Sequence, residues 1–317
     1  MPTTSIDIPS LAGQTWLITG STNGVGLETA RMASRYGARV ILAVRDTDRG
    51  RTVADELPGQ ARVVELDLAC VASVRRAADE LLTGPAESID VLVNNAGVVT
   101  PRRGETADGF EMVLGVNALG PFHFTNLVVP LVRRRIVIVG SNAHKSGAID
   151  FDDPHFRRRR WDLASAYAQS KLGDLLWGLA LDQRLRDGRV VAGAAGVAGA
   201  AGVAGRPGTT GASEVDVQLT HPGWAATNIS NATGNALLDR VVTGMCSVFA
   251  QPASRAALTT MYAATRRLPP CSYVGPDGMG HLRGMPTLIG RSALASDPAL
   301  AEKFWDFAEA EIARVDR

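Results

Sequence analysis

Tyr167 and Lys171 stand four residues apart in the run Ala166-Tyr167-Ala168-Gln169-Ser170-Lys171-Leu172, a spacing that puts both side chains on one face of a helix. A free phenol has a pKa of about 10, too high for easy proton exchange at neutral pH. A cation held beside a phenol favours the phenolate and lowers that value. The tyrosine then approaches the range in which general acid–base catalysis is efficient. Pairs of this kind also arise by chance on solvated helix faces, so the chemistry depends on what the rest of the chain brings to them.

Far upstream, Thr19-Gly20-Ser21-Thr22-Asn23-Gly24-Val25-Gly26 follows Thr15-Trp16-Leu17-Ile18, an apolar run that fits a buried strand. From Val25 to Tyr36 the pattern is helical, with Val25, Leu27, Ala30, Met32 and Ala33 as apolar members. A strand, a glycine turn and a helix N-terminus present free N–H groups and a positive dipole end to a pyrophosphate. The spacing Gly20, Gly24, Gly26 differs from the commonest dinucleotide fingerprint. A lone glycine cluster is more often a tight turn; the strand before this one and the helix after it set it apart. The next apolar run, Arg39 to Val44, ends in Arg45-Asp46. In dinucleotide folds an acidic side chain near this point binds the ribose hydroxyls, whereas an arginine suits a 2′-phosphate. Arg45 carries the forked guanidinium that clamps phosphate, and Asp46 falls one residue past the usual acidic position. NADP(H) is therefore expected in preference to NAD(H).

With these motifs in order, the chain resembles the short-chain dehydrogenases/reductases. Thr19 to Gly26 matches the family's cofactor loop, contributing Gly20, Ser21, Thr22, Asn23, Gly24, Val25 and Gly26. Asp67-Leu68 matches the acidic residue that contacts the adenine ring. Asn94-Asn95-Ala96-Gly97, after Val91-Leu92-Val93, matches the fourth-strand signature, whose Asn94, Ala96 and Gly97 would meet the cofactor. Asn117, Ser141 (closing Ile136 to Gly140), Tyr167 and Lys171 match the catalytic tetrad. His221-Pro222-Gly223 with Thr227 matches the segment that holds the nicotinamide carboxamide, through Pro222, Gly223 and Thr227. Within the family the chain is most similar to the retinol-dehydrogenase branch, with its relatives of protochlorophyllide reductase. The residues that carry this are Ala166 to Leu172, Arg135-Ile136-Val137, His221-Pro222-Gly223-Trp224 and Thr227-Asn228. Tyr273 to Gly278 and Asp297-Pro298 to Trp305 look like bacterial members of that branch.

The resemblance implies one doubly wound α/β (Rossmann) domain across residues 1–317, with a seven-stranded parallel sheet. Apolar runs place the strands near 15–19, 39–44, 62–66, 89–93, 135–140, 215–219 and 272–274. Such folds bind ligands outside the carboxyl ends of their strands, where Gly20, Arg45, Asp67, Asn94, Ser141 and Pro222 all fall. It also implies hydride transfer between nicotinamide and a carbonyl or alcohol, running as ketone or aldehyde reduction. Tyr167 donates the proton, Ser141 orients the substrate oxygen, Lys171 acts on the tyrosine and the ribose, and Asn117 supports a proton-relaying water. Carbon–carbon double-bond reduction uses the same tyrosine and lysine and stays open as an alternative. A non-catalytic NADP-binding regulator is disfavoured by the complete tetrad, and an epimerase of the longer branch by the glycine spacing.

Thirty-three basic and thirty-two acidic residues leave a net charge of +1, so nothing points to nucleic acid; Arg133 to Arg135 and Arg157 to Arg160 read as solvated faces. Cys70, Cys246 and Cys271 lie far apart, without metal-ligand spacing, and read as reduced thiols. Met1 to Ser10 has neither a basic start nor an apolar stretch, and no apolar run reaches the roughly 18 residues of a membrane span. A cytoplasmic enzyme without a membrane anchor or a metal is expected.

Two segments stand apart. Residues 192–197 and 198–203 are the same hexapeptide, Ala-Gly-Ala-Ala-Gly-Val, inside an Ala/Gly-rich stretch, 189–213. It reads as an inserted surface loop, tolerated because loop length costs little. Residues 228–252 are strongly apolar and lie where the family keeps its substrate lid, implying a hydrophobic small-molecule substrate. Val98, Asn142, His144 and Trp224 are candidate substrate contacts by adjacency. Family members pair through helices that include the one carrying Tyr167, which implies a homodimer or homotetramer unless the long link from Ser141 to Tyr167 covers that surface.

Overall fold

The computed structural model describes residues 6–84, 88–189, 215–224 and 251–316. Eight strands form one sheet in the order β3-β2-β1-β4-β5-β6-β7-β8. They are β1 (Thr15–Thr19), β2 (Arg39–Val44), β3 (Ala61–Glu65), β4 (Ile89–Asn94), β5 (Val132–Val139), β6 (Asp216–Thr220), β7 (Tyr273–Pro276) and β8 (Pro286–Leu288). The first seven run parallel, and β8 pairs antiparallel with β7. The seven-stranded expectation is therefore corrected by one edge strand. At three residues, opening on a proline, β8 is too short for alternation to show, and a proline is tolerated at a sheet edge.

The central strands β1 and β2 and the second half of β5 read as nearly continuous apolar runs because both faces of the sheet are covered there. Successive side chains alternate between faces: Trp16 and Ile18 join one core cluster with Ala30, Ala33, Val53 and Met261. Leu17 joins another with Val74, Phe122, Leu172 and Trp305. The first cluster takes in α1 (Gly24–Arg35), α2 (Thr47–Glu56) and α7 (Ala253–Thr265). The second takes in α3 (Val71–Thr83), α5 (Gly120–Val128), α6 (Leu163–Arg186) and α8 (Pro298–Val315). A short α4 (Met112–Leu114) leads into α5 through a π-helical turn, Gly115–Leu119. Among the described residues the continuous run Met112–Leu131 is the one helix long and apolar enough to cross a membrane, and 89% of its apolar window is buried inside the protein.

Helix α6 begins at Asp162, whose side chain accepts from Ser165 N–H at 2.9 Å, a capping contact that satisfies a first-turn donor. It lacks an apolar stripe because it is buried nearly all round, from Ala166 to Leu185, as expected of a helix enclosed by its own chain. One side lies on β5 and β6. The other meets α8 so closely at Gly173 that a Cβ there would sit 2.7 Å from Phe304 Cζ. Helix α8 starts at Asp297, which accepts from Ala299 and Leu300 N–H, with Pro298 at the first helical position. Phe304 and Trp305 are buried, the Phe122 and Trp305 rings meet edge to face at 4.8 Å, and Asp316 pairs with Arg75.

The link between Ser141 and Tyr167 packs on α8 through Phe151–Phe307 and through His155–Glu311 at 3.0 Å. Its basic run is organised rather than merely solvated: Asp153 accepts from the N–H groups of Arg157, Arg158 and Arg159. Of the two segments singled out in the sequence, the 189–213 insertion lies outside the described residues beyond Arg189. So does the 228–252 lid, apart from Gln251 and Pro252.

Candidate active site

The strand order reverses between β1 and β4, so the loops leaving their carboxyl ends diverge and leave a crevice. A cavity of about 760 Å³ occupies it, lined by the turns after β1 to β6 and by Tyr167 and Lys171 of α6.

At one end sits the glycine turn. Gly20 has φ +65°, and a Cβ there would come within 2.8 Å of Ala96 Cα, so both conformation and space demand glycine. Helix α1 opens after Asn23 with no side-chain cap and no acidic residue in its first turn. Its leading N–H groups and positive dipole end therefore remain for an anion. Thr22, Asn23, Gly24, Val25 and Gly26 line the cavity; Ser21 does not, because its buried hydroxyl donates to Ile18 O at 3.1 Å. The turn is braced by Asn95, whose Nδ2 donates to Thr19 O at 3.0 Å. Thr19 Oγ1 accepts from the N–H groups of both Asn95 and Ala96.

Arg45, exposed at the end of β2, lines the cavity beside Asp46. The Asp46 carboxylate accepts from Arg49 N–H at 3.0 Å and so caps α2. Asp67 and Leu68 line the wall beyond, with Asp67 Oδ1 accepting from Ala69 N–H. Ala96 and Gly97 also line it. Asn94 turns away: it is buried and its Nδ2 donates to Thr125 Oγ1 at 2.8 Å, tying β4 to α5. Asn95, the second asparagine of the pair, takes the cavity side.

Ser141, Tyr167 and Lys171 meet at the other end. Ser141 follows β5, and its Oγ accepts from Ala143 N–H at 3.2 Å. Tyr167 is half-buried, and Lys171 Nζ lies 5.9 Å from the centre of its ring. That ammonium donates to Val139 O at 3.1 Å and to Asp174 Oδ2 at 2.7 Å. Asp174 was not singled out from the sequence, although its place three residues after Lys171 on a helix was a usable signal. Asn117 stands in the π-helical turn, a feature that clusters at functional sites. It is buried behind the wall rather than on it. Its Nδ2 donates to Ser170 Oγ at 3.0 Å, and Ser170 Oγ donates to Tyr167 O.

Of the proposed substrate contacts, Val98, Asn142 and Trp224 line the cavity. His144 does not. It is fully buried, its Nε2 accepts from Ser292 N–H at 3.2 Å, and its Nδ1 therefore carries the hydrogen donated to Ser141 O at 2.7 Å. Burial pushes its imidazole below the ordinary value, so it braces the Ser141 loop as a neutral ring. Pro222 and Gly223 line the cavity, and Thr227 lies outside the described residues. Val99, Val116 and Leu282 are further lining residues. Leu282 comes from a segment more than fifty residues past Trp224 and is held there by Trp224 N–H donating to Leu282 O at 2.7 Å, a tertiary contact with no sequence signal.

A family model described as short chain dehydrogenase matches residues 14–152. The chain is similar to retinol dehydrogenase 13 of Mus musculus, 31% identical over 309 residues that cover 93% of this chain and 83% of that protein. The Homo sapiens form is 34% identical over 234 residues, 71% of this chain and 63% of that protein. Polyprenol dehydrogenase of Mus musculus is 40% identical over 195 residues, a match that spans 57% of each chain. Among solved structures, an uncharacterized protein from Mycobacterium paratuberculosis is 36% identical, with a TM-score of 0.77 across 98% of this chain and 96% of that one.

Proposed function

The chain belongs to the short-chain dehydrogenase/reductase family, and we propose that it is an NADP(H)-dependent reductase of ketones or aldehydes on hydrophobic small molecules. One observation carries the reading. A tyrosine, a lysine and a serine converge at one end of a cavity whose other end is an uncapped helix N-terminus behind a glycine turn.

The residues fit a nicotinamide dinucleotide. The open N–H groups of α1 suit its pyrophosphate, Asp67 its adenine, and Lys171 its ribose hydroxyls. Arg45 supports the preference for NADP(H): it stands at the end of β2 with no ion pair among the described residues, while Asp46 is engaged in capping α2. When bound, the nicotinamide supplies the hydride that reduces the carbonyl carbon. Tyr167 donates the phenolic proton to the substrate oxygen. Ser141 donates a hydrogen bond to that oxygen and fixes its direction, an electrostatic contribution strengthened where water is excluded. The Lys171 ammonium stabilises the charge left on the phenolic oxygen as the proton departs. Asn117, through Ser170, holds the first turns of α6 to the end of β4.

Val98, Val99, Trp224 and Leu282 support an apolar substrate, in keeping with relatives named for retinol and polyprenol. We place the protein in the cytoplasm, a reading supported by the burial of the one span-length helix among the described residues and by the free thiols of Cys70 and Cys271.

The test is NADPH and NADH oxidation against retinal, aromatic ketones, steroids and quinones, with product analysis to distinguish carbonyl from carbon–carbon double-bond reduction. Turnover with NADPH that vanishes in Tyr167→Phe, while NADPH still binds, is the expected result. Undiminished turnover in Tyr167→Phe would reject the assignment.

A further inference from the structure

Asp174 lies one helical turn beyond Lys171 on α6. It is 2% exposed and accepts from the ammonium at 2.7 Å. A second lysine hydrogen goes to Val139 O on β5. An ammonium has three donors, so two are committed to the core and one is left for the cavity that Lys171 lines. An amide or a backbone carbonyl would satisfy the donor that Asp174 takes. What a carboxylate adds is charge.

Burial favours the neutral form of both partners. It pushes the Asp174 carboxyl up to about 6, against the pull of Lys171. At Lys171 burial pushes downward, yet Asp174 first and Tyr167 second outweigh it and hold the ammonium above its ordinary value.

We propose that Asp174 is a positioning residue for the reaction: it fixes the Lys171 ammonium beside Tyr167 and supplies the buried negative charge that keeps the Tyr167–Lys171 pair fully protonated, the state a proton donor must hold before turnover. This rests on reading Tyr167 as the proton donor.

The surroundings leave that task to Asp174. From β7, Tyr273 faces both Tyr167 and Asp174, but burial holds its phenol far above the ordinary value and it stays neutral. Behind it lie the rings of His144 and His221, at 5.3 and 5.4 Å, both pushed down by burial and uncharged at neutral pH. Among the described residues, Asp174 is the acidic group against the pair. Because Tyr167 and Lys171 interact, their protons leave in steps that belong to the pair rather than to either residue. Removing a nearby negative charge makes the first of those steps easier, whichever atom loses the proton.

The chain has three lysines, Lys145, Lys171 and Lys303, and four tyrosines. Carbon-13 labels at lysine Cε and tyrosine Cζ are therefore few enough to assign with Lys171→Met and Tyr167→Phe. Asp174→Asn keeps the volume and an accepting oxygen but removes the charge. In that variant the first titration of the pair is expected about one pH unit or more below wild type. The alkaline limb of kcat against pH should move with it, while substrate KM does not. An unchanged titration in folded Asp174→Asn overturns the proposal. Should that variant fail to fold, Tyr167→Phe decides, since no phenolate remains there to hold the lysine proton: Lys171 titrating after the exposed Lys145 and Lys303 supports the counter-charge, and Lys171 titrating before them overturns it. The labels read the pair without substrate, so retained activity in Tyr167→Phe would remove the proton-donor assignment alone and leave the titration result standing.

Discussion

Asn117 and Val98 hold each other at two points: Val98 N–H donates to Asn117 Oδ1 at 2.7 Å, and Asn117 Nδ2 donates to Val98 O at 3.1 Å. The pairing locks the π-helical turn to the segment after β4, where Gly97 and Val98 border the cavity. With the further bond to Ser170 Oγ, one side chain joins three elements of the site.

Asn117→Ala should therefore cost more than a surface change. It leaves the Val98 backbone groups and the Ser170 hydroxyl without their partner in a buried setting, a penalty of about 1–3 kcal/mol. Urea unfolding is expected to show a lower midpoint, with NADPH affinity reduced in parallel. A variant as stable as wild type would show that the bonds are replaced by water.

Arg45→Ala should separate the two cofactors. A charge-assisted hydrogen bond to a phosphate is worth about 1.5–3 kcal/mol, or roughly a ten- to hundredfold change in affinity. Calorimetric titration should show NADPH binding weakened by that factor and NADH binding almost unchanged. Equal losses for both cofactors would sink the 2′-phosphate assignment.

Acid should destabilise the fold through its buried histidines. Burial holds His221 at about 3 and His123 at about 4. Both values are depressed below the unfolded one, so below about pH 6.5 the unfolded chain binds protons that the native protein does not, and stability falls with falling pH. From about pH 7 to about pH 5 this is on the order of 2 kcal/mol for each histidine. Asp174 works in the opposite direction, because its raised value lets the native state take up a proton first; that offsets about 1.4 kcal/mol. A net loss of roughly 2–3 kcal/mol is expected across that range, read from urea midpoints at each pH. A flat profile would mean that the imidazoles gain charge without penalty.

Helix α8 bears on assembly. Helix α6, through which pairing was expected, meets the chain's own Phe304 at Gly173, and Arg184 pairs with Glu302 of α8 at 2.7 Å while stacking on Trp305. We expect a monomer in light scattering rather than the homodimer or homotetramer that the family resemblance implied. Trp305→Ala should lower stability by about 3–5 kcal/mol. A stable dimer in the wild-type protein would show that pairing uses a different surface.

The motifs were legible in the sequence because each is a local pattern tied to a local need. Thr19 to Gly26 needs glycine where the backbone turns against Ala96, and Tyr167 and Lys171 share a helix face by their spacing alone. The central strands announced themselves because a sheet buried on both faces leaves few polar positions in them, as in Trp16-Leu17-Ile18 and Val40 to Val44. Direction within those motifs was not legible. Asn94 and Asn95 are identical residues at adjacent positions, and strand alternation sends one toward Thr125 and the other toward the glycine turn. His144 had the chemistry of an acid and the placement of a brace, since its two nitrogens are taken by Ser141 and by Ser292, far along the chain.

By itself, then, the sequence determined the fold class and the motifs that come to line one cavity, the glycine turn after Thr19 together with Ser141, Tyr167 and Lys171, all of which rest on short-range spacing and on apolar runs. The tertiary structure alone decided that Asp174 stands against the ammonium of Lys171, that Leu282 reaches Trp224 at the cavity mouth, and that α8 covers α6. Those relationships depend on which distant segments share a buried space. There desolvation makes every unpaired charge and polar group costly, and only the packed chain fixes which groups are brought together.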